Sequence, residues 1–279
     1  ESVTKTARWL IEEIANYFRW RGIQVLYGDT DSVFVKVPEG MDINKVLDDL
    51  HNYLKELVIM KFNVPEKYFR LKVKVDEIFE KIYFLAKKQK KRYFGTPVEN
   101  REPNILDPHE IKVGGRLVKV TGLDIVRRNK FELLDRVQRK LIEVIIKSSP
   151  KDYRERVNTE FRNYLMKVRE MLYSGLLDKL LVFTTGTKVD ISHYKANQPH
   201  VKALRKLHER GLYVPGEVIK YVITGYDSEG RLDAEPVING KIPPISRAGY
   251  DYYWQRIMTM IENILGYRIN TSTTLDMFS

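Results

Sequence analysis

Two aspartates one residue apart, Asp29 and Asp31, sit in the run YGDTDS between strand-forming residues, Val25, Leu26 and Tyr27 before and Val33, Phe34 and Val35 after. On a strand, residues two apart project to the same side, and at a hairpin tip they also lie close together. Either arrangement presents both carboxylates to one point. Two such charges cost free energy unless a cation joins them or one takes a proton. A hard divalent cation with oxygen ligands, such as Mg²⁺, resolves this. Two-metal phosphoryl transfer uses carboxylates on rigid strands in this way, with metals about 3.5–4 Å apart gripping the attacking and leaving oxygens. The small neighbours Gly28 and Ser32 let a backbone or a phosphate approach. The competing reading of Asp-Thr-Asp by itself is an ordinary hairpin turn, where Asp and Thr are common.

A second segment carries the opposite charge. KIYFLAKKQKKRYFG holds Lys81, Lys87, Lys88, Lys90, Lys91 and Arg92, no acid, and the interleaved aromatics Tyr83, Phe84, Tyr93 and Phe94. Lysines neutralise phosphates and give salt-dependent, sequence-blind affinity. Lys91 and Tyr93, two apart on a strand, share a face and can meet the groove and backbone of a duplex together. A solvated sheet edge protected by lysines is the alternative.

The elements that must position these groups are legible in outline. Val3, Ala7, Leu10, Ile11, Ile14, Tyr17 and Phe18 predict an amphipathic helix over 3–20, ended by Gly22. Residues 23–37 read as strand, tight turn, strand. Asp42 is the expected N-cap of a helix using Ile43, Val46, Leu47, Leu50, Leu54, Leu57 and Val58. Alternation over 69–76 predicts a half-buried strand, and IFEKIYFLA continues as sheet. Residues 97–109 read as a loop, and Gly114-Gly115 marks a hairpin. After Gly122 the periodicity turns helical, with helices expected around 133–144, 153–172, 199–210 and 251–265. The boundary is therefore placed near residue 123, with mixed α/β before it and mostly helix after it.

With 279 residues, 43% of them hydrophobic, the chain has enough material for one large or two modest domains. It has no cysteine, which excludes a disulfide framework and thiolate metal sites. His51, His109, His193, His200 and His208 show no zinc spacing. No apolar run reaches the length of a membrane span, and a cytoplasmic location is the default expectation, which the resemblance given below narrows to nucleoid-associated. The formal net charge of +11 suits either a polyanionic partner or a solvated surface with surplus lysine, and the distribution of charge must decide.

YGDTDS resembles motif C of the family B DNA polymerases. KKRYFG resembles the family's KxY motif, VTGLDIVRRN its RGxExVRRD at the start of the thumb, and YKANQPHV a thumb segment of archaeal members. Leu265-Gly266-Tyr267-Arg268 also matches a family run, so the similarity covers nearly the whole chain in the right order. Thr121, Asp124 and Asn129 depart from the thumb motif, and none touches the acidic pair. The resemblance implies an α+β fold: an antiparallel palm sheet with packed helices over 1–122, a mostly helical thumb over 123–265, and a tail over 266–279. It implies that Asp31 ligates the catalytic Mg²⁺ ions, with Asp29 as a ligand or close supporting carboxylate. Lys91, Arg92 and Tyr93 are expected on the primer-template duplex, as are Arg127 and Arg128, and more weakly Lys195, Asn197 and His200. Glu80 is either a supporting carboxylate or half of a salt bridge. Leu275 and Phe278 resemble a degenerate sliding-clamp peptide.

The family's motifs A and B, with the further metal-binding aspartate and the nucleotide-binding helix, do not occur in this sequence. The expectation is a palm and thumb portion acting on primer-template DNA and deoxynucleoside triphosphates. It would be inactive alone and need an N-terminal polymerase portion, in the same parent chain or as a split subunit. The rivals are a non-catalytic duplex-binding subunit or inactivated polymerase module and, less favoured, a metal-dependent nuclease.

Overall fold

The first helix, α1 (Ser2–Trp20), ends where its apolar stripe ends. Gly22 (φ 72°) reverses the chain there, with Gly22 N–H donating to Arg19 O and Ile23 N–H to Phe18 O at 3.0 and 2.9 Å. This paired termination returns Ile23, 1% exposed, onto the core beside Phe18 and starts the first strand without slack. That strand, β1 (Gln24–Gly28), pairs antiparallel with β2 (Val33–Lys36), with a bulge at Leu26. Helix α2 (Ile43–Phe62) is capped by Asp42, whose Oδ1 accepts from Asn44 N and Lys45 N at 3.0 and 3.3 Å. Its buried residues Val46, Leu50 and Leu54 meet Ile14, Tyr17 and Phe18 of α1. The structure is a computed structural model that describes residues 2–29, 31–85, 91–127, 130–186 and 197–271.

The chain divides into two compact units, Glu1–Ile78 and Phe79–Ser279. The strand expected over 69–76 is corrected by the structure. Leu71 and Val73 pack on the first core while Arg70, Lys72 and Lys74 face solvent, yet the segment joins no ladder among the described residues. Alternation reports which side is buried; it does not supply a hydrogen-bonding neighbour.

The second unit opens with β3 (Phe79–Phe84), β4 (Tyr93–Pro97), β5 (Glu110–Val113) and β6 (Arg116–Thr121), in the antiparallel order β3-β4-β6-β5. Helix α3 (Glu132–Ile146) buries Leu133, Leu134, Val137, Leu141 and Ile142 in the same core as Phe94, Val118 and Val120. Then come α4 (Tyr153–Arg156), a π turn (Val157–Phe161) and α5 (Arg162–Tyr173) as one continuous helical rod. The mostly helical expectation gains a three-stranded antiparallel sheet here: β7 (Phe183–Gly186), β8 (Val218–Tyr226) and β9 (Leu232–Pro236), in the order β7-β8-β9. Helix α6 (Pro199–Glu209) lies on β9, and α7 (Arg247–Leu265) on β8. Tyr253 of α7 is fully buried, and its hydroxyl accepts from Ile223 N at 2.8 Å beside the β8 bulge. Among the described residues no helix is long and apolar enough to cross a membrane.

Candidate active site and duplex-binding segment

The structure brings Asp29 and Asp31 together in the four-residue connection between β1 and β2. Asp29 N–H donates to Ser32 O at 2.8 Å, closing the turn one step beyond the last ladder pair, Gly28 with Val33. The aspartates therefore belong to the tip, and the same-face alternation of a strand does not apply to them. Asp29 is half-buried and Asp31 exposed. Among the described residues Asp31 has no hydrogen-bond or ion-pair partner. The nearest atom to a side chain built at Gly28 would be Ile11 Cγ2 at 4.0 Å, so the chain leaves space beside the turn. Tyr27 and Phe34 flank the tip with ring centroids 5.9 Å apart. An exposed, unneutralised carboxylate with a second in the same turn is a donor set that fits a hard cation. No group of three or more Asp, Glu, His or Cys that could hold a metal occurs among the described residues. A complete multidentate cage therefore needs oxygens beyond these two.

The basic segment forms the β3–β4 hairpin. Its last pairs are Phe84 with Tyr93 and the bond from Leu85 N to Arg92 O at 3.2 Å. Lys87, Lys88 and Lys90 lie outside the described residues. Lys91 precedes β4 in the left-handed region, φ 60°, so the expectation that Lys91 and Tyr93 share a strand face is replaced by a turn geometry. Lys91 is exposed; Arg92 and Tyr93 are half-buried. Phe79 and Phe84 set the Tyr93 ring, with centroids at 6.4 and 6.0 Å. Lys81 does not join a phosphate-facing row: its Nζ donates to Ile146 O and Ser148 O at 3.0 and 3.2 Å. It thus stands as a cation at the C-terminal end of α3. Glu80 accepts from Arg116 of β6, which matches the salt-bridge alternative, with arginine as the partner.

The KxY and thumb motifs meet at one glycine. Gly122 has φ 72°, and a Cβ there would lie 2.5 Å from Lys91 O and 2.6 Å from Arg92 Cγ. Only a residue without a side chain lets β6 pass this close while Thr121 pairs with Tyr93. After Gly122 the chain makes a 3₁₀ turn, Asp124–Val126, whose carboxylate Asp124 pairs with Arg127 at 3.4 Å. Arg128 and Lys195 lie outside the described residues, as do Leu275 and Phe278. Asn197 Oδ1 accepts from Arg205 at 3.1 Å. His200 sits at the start of α6, and burial lowers its pKa below the ordinary value.

The basic residues on α6 are engaged within the fold. Lys202 Nζ donates to Asp227 and to Leu232 O at 2.6 Å each, while Lys206 Nζ meets Asp233 at 3.1 Å and Glu235 at 2.6 Å. The hydrogen bond from Lys202, with Arg231 and Glu229 N–H groups, holds the Asp227 carboxyl well below the usual range. Gln138 was not anticipated. It is fully buried in α3 and accepts from Ile125 N at 2.6 Å. Its trace in the sequence is a polar residue on an otherwise apolar helix face.

The chain thus carries an acidic hairpin turn and a basic sheet segment on an α+β scaffold of antiparallel sheets and packed helices. The chain belongs to DNA polymerase family B, whose family model matches residues 3–267. The DNA polymerase of Archaeoglobus fulgidus is 32% identical over 227 residues, 80% of this chain and 24% of that one. That of Thermococcus gorgonarius is 28% identical over 279 residues, 96% of this chain and 31% of that one. The solved family B DNA polymerase from the hyperthermophilic archaeon Pyrobaculum calidifontis matches with a TM-score of 0.58 at 26% identity, covering 94% of this chain and 29% of that one. The chain thus spans about a quarter to a third of the length of these relatives.

Proposed function

We propose that this chain is the palm and thumb portion of a DNA-dependent DNA polymerase, with the palm over 1–122 and the thumb over 123–265. The reading is carried by the turn that holds Asp29 and Asp31 together, with Asp31 exposed and without a partner among the described residues. These two carboxylates would hold Mg²⁺, which when bound neutralises phosphoryl oxygens and favours the ionised primer 3′-hydroxyl. The reaction joins that hydroxyl to the α-phosphorus of a deoxynucleoside triphosphate and releases pyrophosphate. Lys91, Arg92 and Tyr93 hold the product duplex from the sheet. Arg127, Arg128, Lys195, Asn197 and His200 act from the thumb, and Leu275 and Phe278 engage a sliding clamp. Glu80 is assigned to its ion pair with Arg116 and not to the metal site.

Two observations support a requirement for further polymerase residues. Among the described residues no third metal-binding carboxylate joins the pair, and the relatives are a little over three times as long as this chain. Primer extension with Mg²⁺ and four nucleotides tests the proposal. The chain is assayed alone and with a separately expressed N-terminal polymerase portion carrying motifs A and B. Extension is expected only in the mixture and should fall by about 100-fold or more with Asp31→Asn, since metal ligation supplies several kcal/mol of transition-state stabilisation. Duplex binding with no extension in any mixture would establish the non-catalytic module instead.

A further inference from the structure

We propose that Gln138 is a positioning residue for duplex binding: with Lys130 it clamps both peptide groups of Ile125 and thereby sets the place of Lys91 across Gly122. The inference rests on the reading of Lys91–Tyr93 as a duplex-contacting segment.

Gln138 lies on the core face of α3 between Val137 and Leu141, with none of its surface exposed. Its Oε1 accepts from Ile125 N–H at 2.6 Å, and its Nε2 is buried with no hydrogen-bond partner among the described residues. A half-bonded amide is a poorer core side chain than leucine of similar volume. What it contributes is the bond to Ile125. The carbonyl of the same residue accepts from Lys130 Nζ, which is itself held by Asp135 at 2.6 Å. Side chains thus grip Ile125 from both sides, in a turn whose own backbone bonds among the described residues are Val126 N to Leu123 O and Arg127 N to Asp124 O at 3.3 and 2.9 Å.

Three residues before Ile125 is Gly122, in close approach to Lys91 O. One residue earlier, Thr121 pairs with Tyr93. A shift of the Ile125 peptide therefore moves the surface against which Lys91 and Arg92 rest. It also moves Arg127, which follows the turn directly. The clamp acts through backbone, so Gln138 itself needs no contact with DNA.

The test is duplex binding by this chain, read by fluorescence anisotropy of a labelled duplex across a salt series, with thermal melts of each variant. Gln138→Leu is expected to weaken binding by about fivefold or more and to make the log–log salt slope shallower by about 1, the loss of a phosphate contact. Gln138→Glu keeps an acceptor for Ile125 N–H and should restore the wild-type slope even if it melts earlier. Asp135→Asn discriminates by sign and stands in if Gln138→Leu does not fold. It raises net charge, so electrostatics alone would tighten binding, whereas loosening Lys130 weakens it. A folded Gln138→Leu with wild-type affinity and slope, or tighter binding by Asp135→Asn, overturns the inference. Absence of salt-dependent duplex binding by the wild-type chain would instead overturn the reading beneath it.

Discussion

Replacing Gly122 by alanine separates two costs that usually arrive together, because the same unit contains a matched control. Gly122 and Gly115 both have positive φ, 72° and 80°. An L-residue in the left-handed region costs about 1–2 kcal/mol, and that cost is common to both sites. Around Gly115 nothing lies within 4 Å of the added carbon, whereas at Gly122 it meets Lys91 O at 2.5 Å. A backbone oxygen one residue beyond the last paired bond, Leu85 N to Arg92 O, is tied to that ladder through the chain and cannot swing aside as a side-chain tip can. Accommodating the methyl therefore displaces the Lys91–Arg92 segment, and such overpacking costs about 1–3 kcal/mol more. Gly115→Ala should lose about 1–2 kcal/mol and Gly122→Ala about 2–5 kcal/mol. For a unit of this size the difference corresponds to about 2–12 °C in Tm. Urea denaturation followed by circular dichroism, with scanning calorimetry alongside, measures both. If Gly122→Ala falls within about 0.5 kcal/mol of Gly115→Ala, the close approach to Lys91 has no energetic consequence and the argument is wrong.

Glu110 accepts two bonds from Arg101, at 2.7 and 2.6 Å, and one from Asn104 N at 2.8 Å, and chiefly the arginine holds its pKa down at about 2. Because the folded value is depressed, its stabilisation is present above the ordinary carboxylate range and is lost as pH falls towards 2. Glu110→Gln should cost about 1–3 kcal/mol at pH 7, and the gap to wild type should close between about pH 4.5 and pH 2; a constant gap would refute the assignment. Asp42→Ala removes the acceptor for Asn44 N and Lys45 N and should cost about 1 kcal/mol, while Asp42→Asn should cost less than half of that; equal losses would point away from capping. Lys202→Met removes the lysine from Asp227, leaving it Arg231 at 3.4 Å and two backbone N–H groups, and should lower the urea midpoint, with Asp227→Asn on top recovering part of it. Additive losses in the double variant would show that the two side chains act separately.

The features that could be read in advance are those set by short stretches of chain. Asp42 followed by apolar residues at helical spacing states both the start and the buried side of α2, because capping and periodicity act within a turn or two. Gly114-Gly115 states a hairpin for a similar reason, and the Asp29–Ser32 turn follows from the strand residues around it. The alternation over 69–76 was equally local, and it was right about burial and wrong about pairing. Strand β8 was not expected: Val222 is buried between Tyr221 and Ile223, so strict alternation does not mark it, and nothing in the sequence names Phe183–Gly186 and Leu232–Pro236 as its neighbours.

By itself the sequence determined the paired carboxylates, the basic segment, the order of the motifs and most helices, since these depend on residue type and spacing along the chain. Only the tertiary structure decided which charges are available. Lys81 closes the end of α3, Lys202 and Lys206 answer Asp227, Asp233 and Glu235, and Glu80 meets Arg116. Only the fold set Gln138 and Lys130 on the two sides of one peptide and left Gly122 no room for a side chain. The physical reason is range. Helix periodicity, capping and turn preferences are decided among neighbours a few residues apart. Ion pairs, close approaches and buried hydrogen bonds are decided by whichever groups packing brings within a few ångströms, and sequence separation carries almost no information about that.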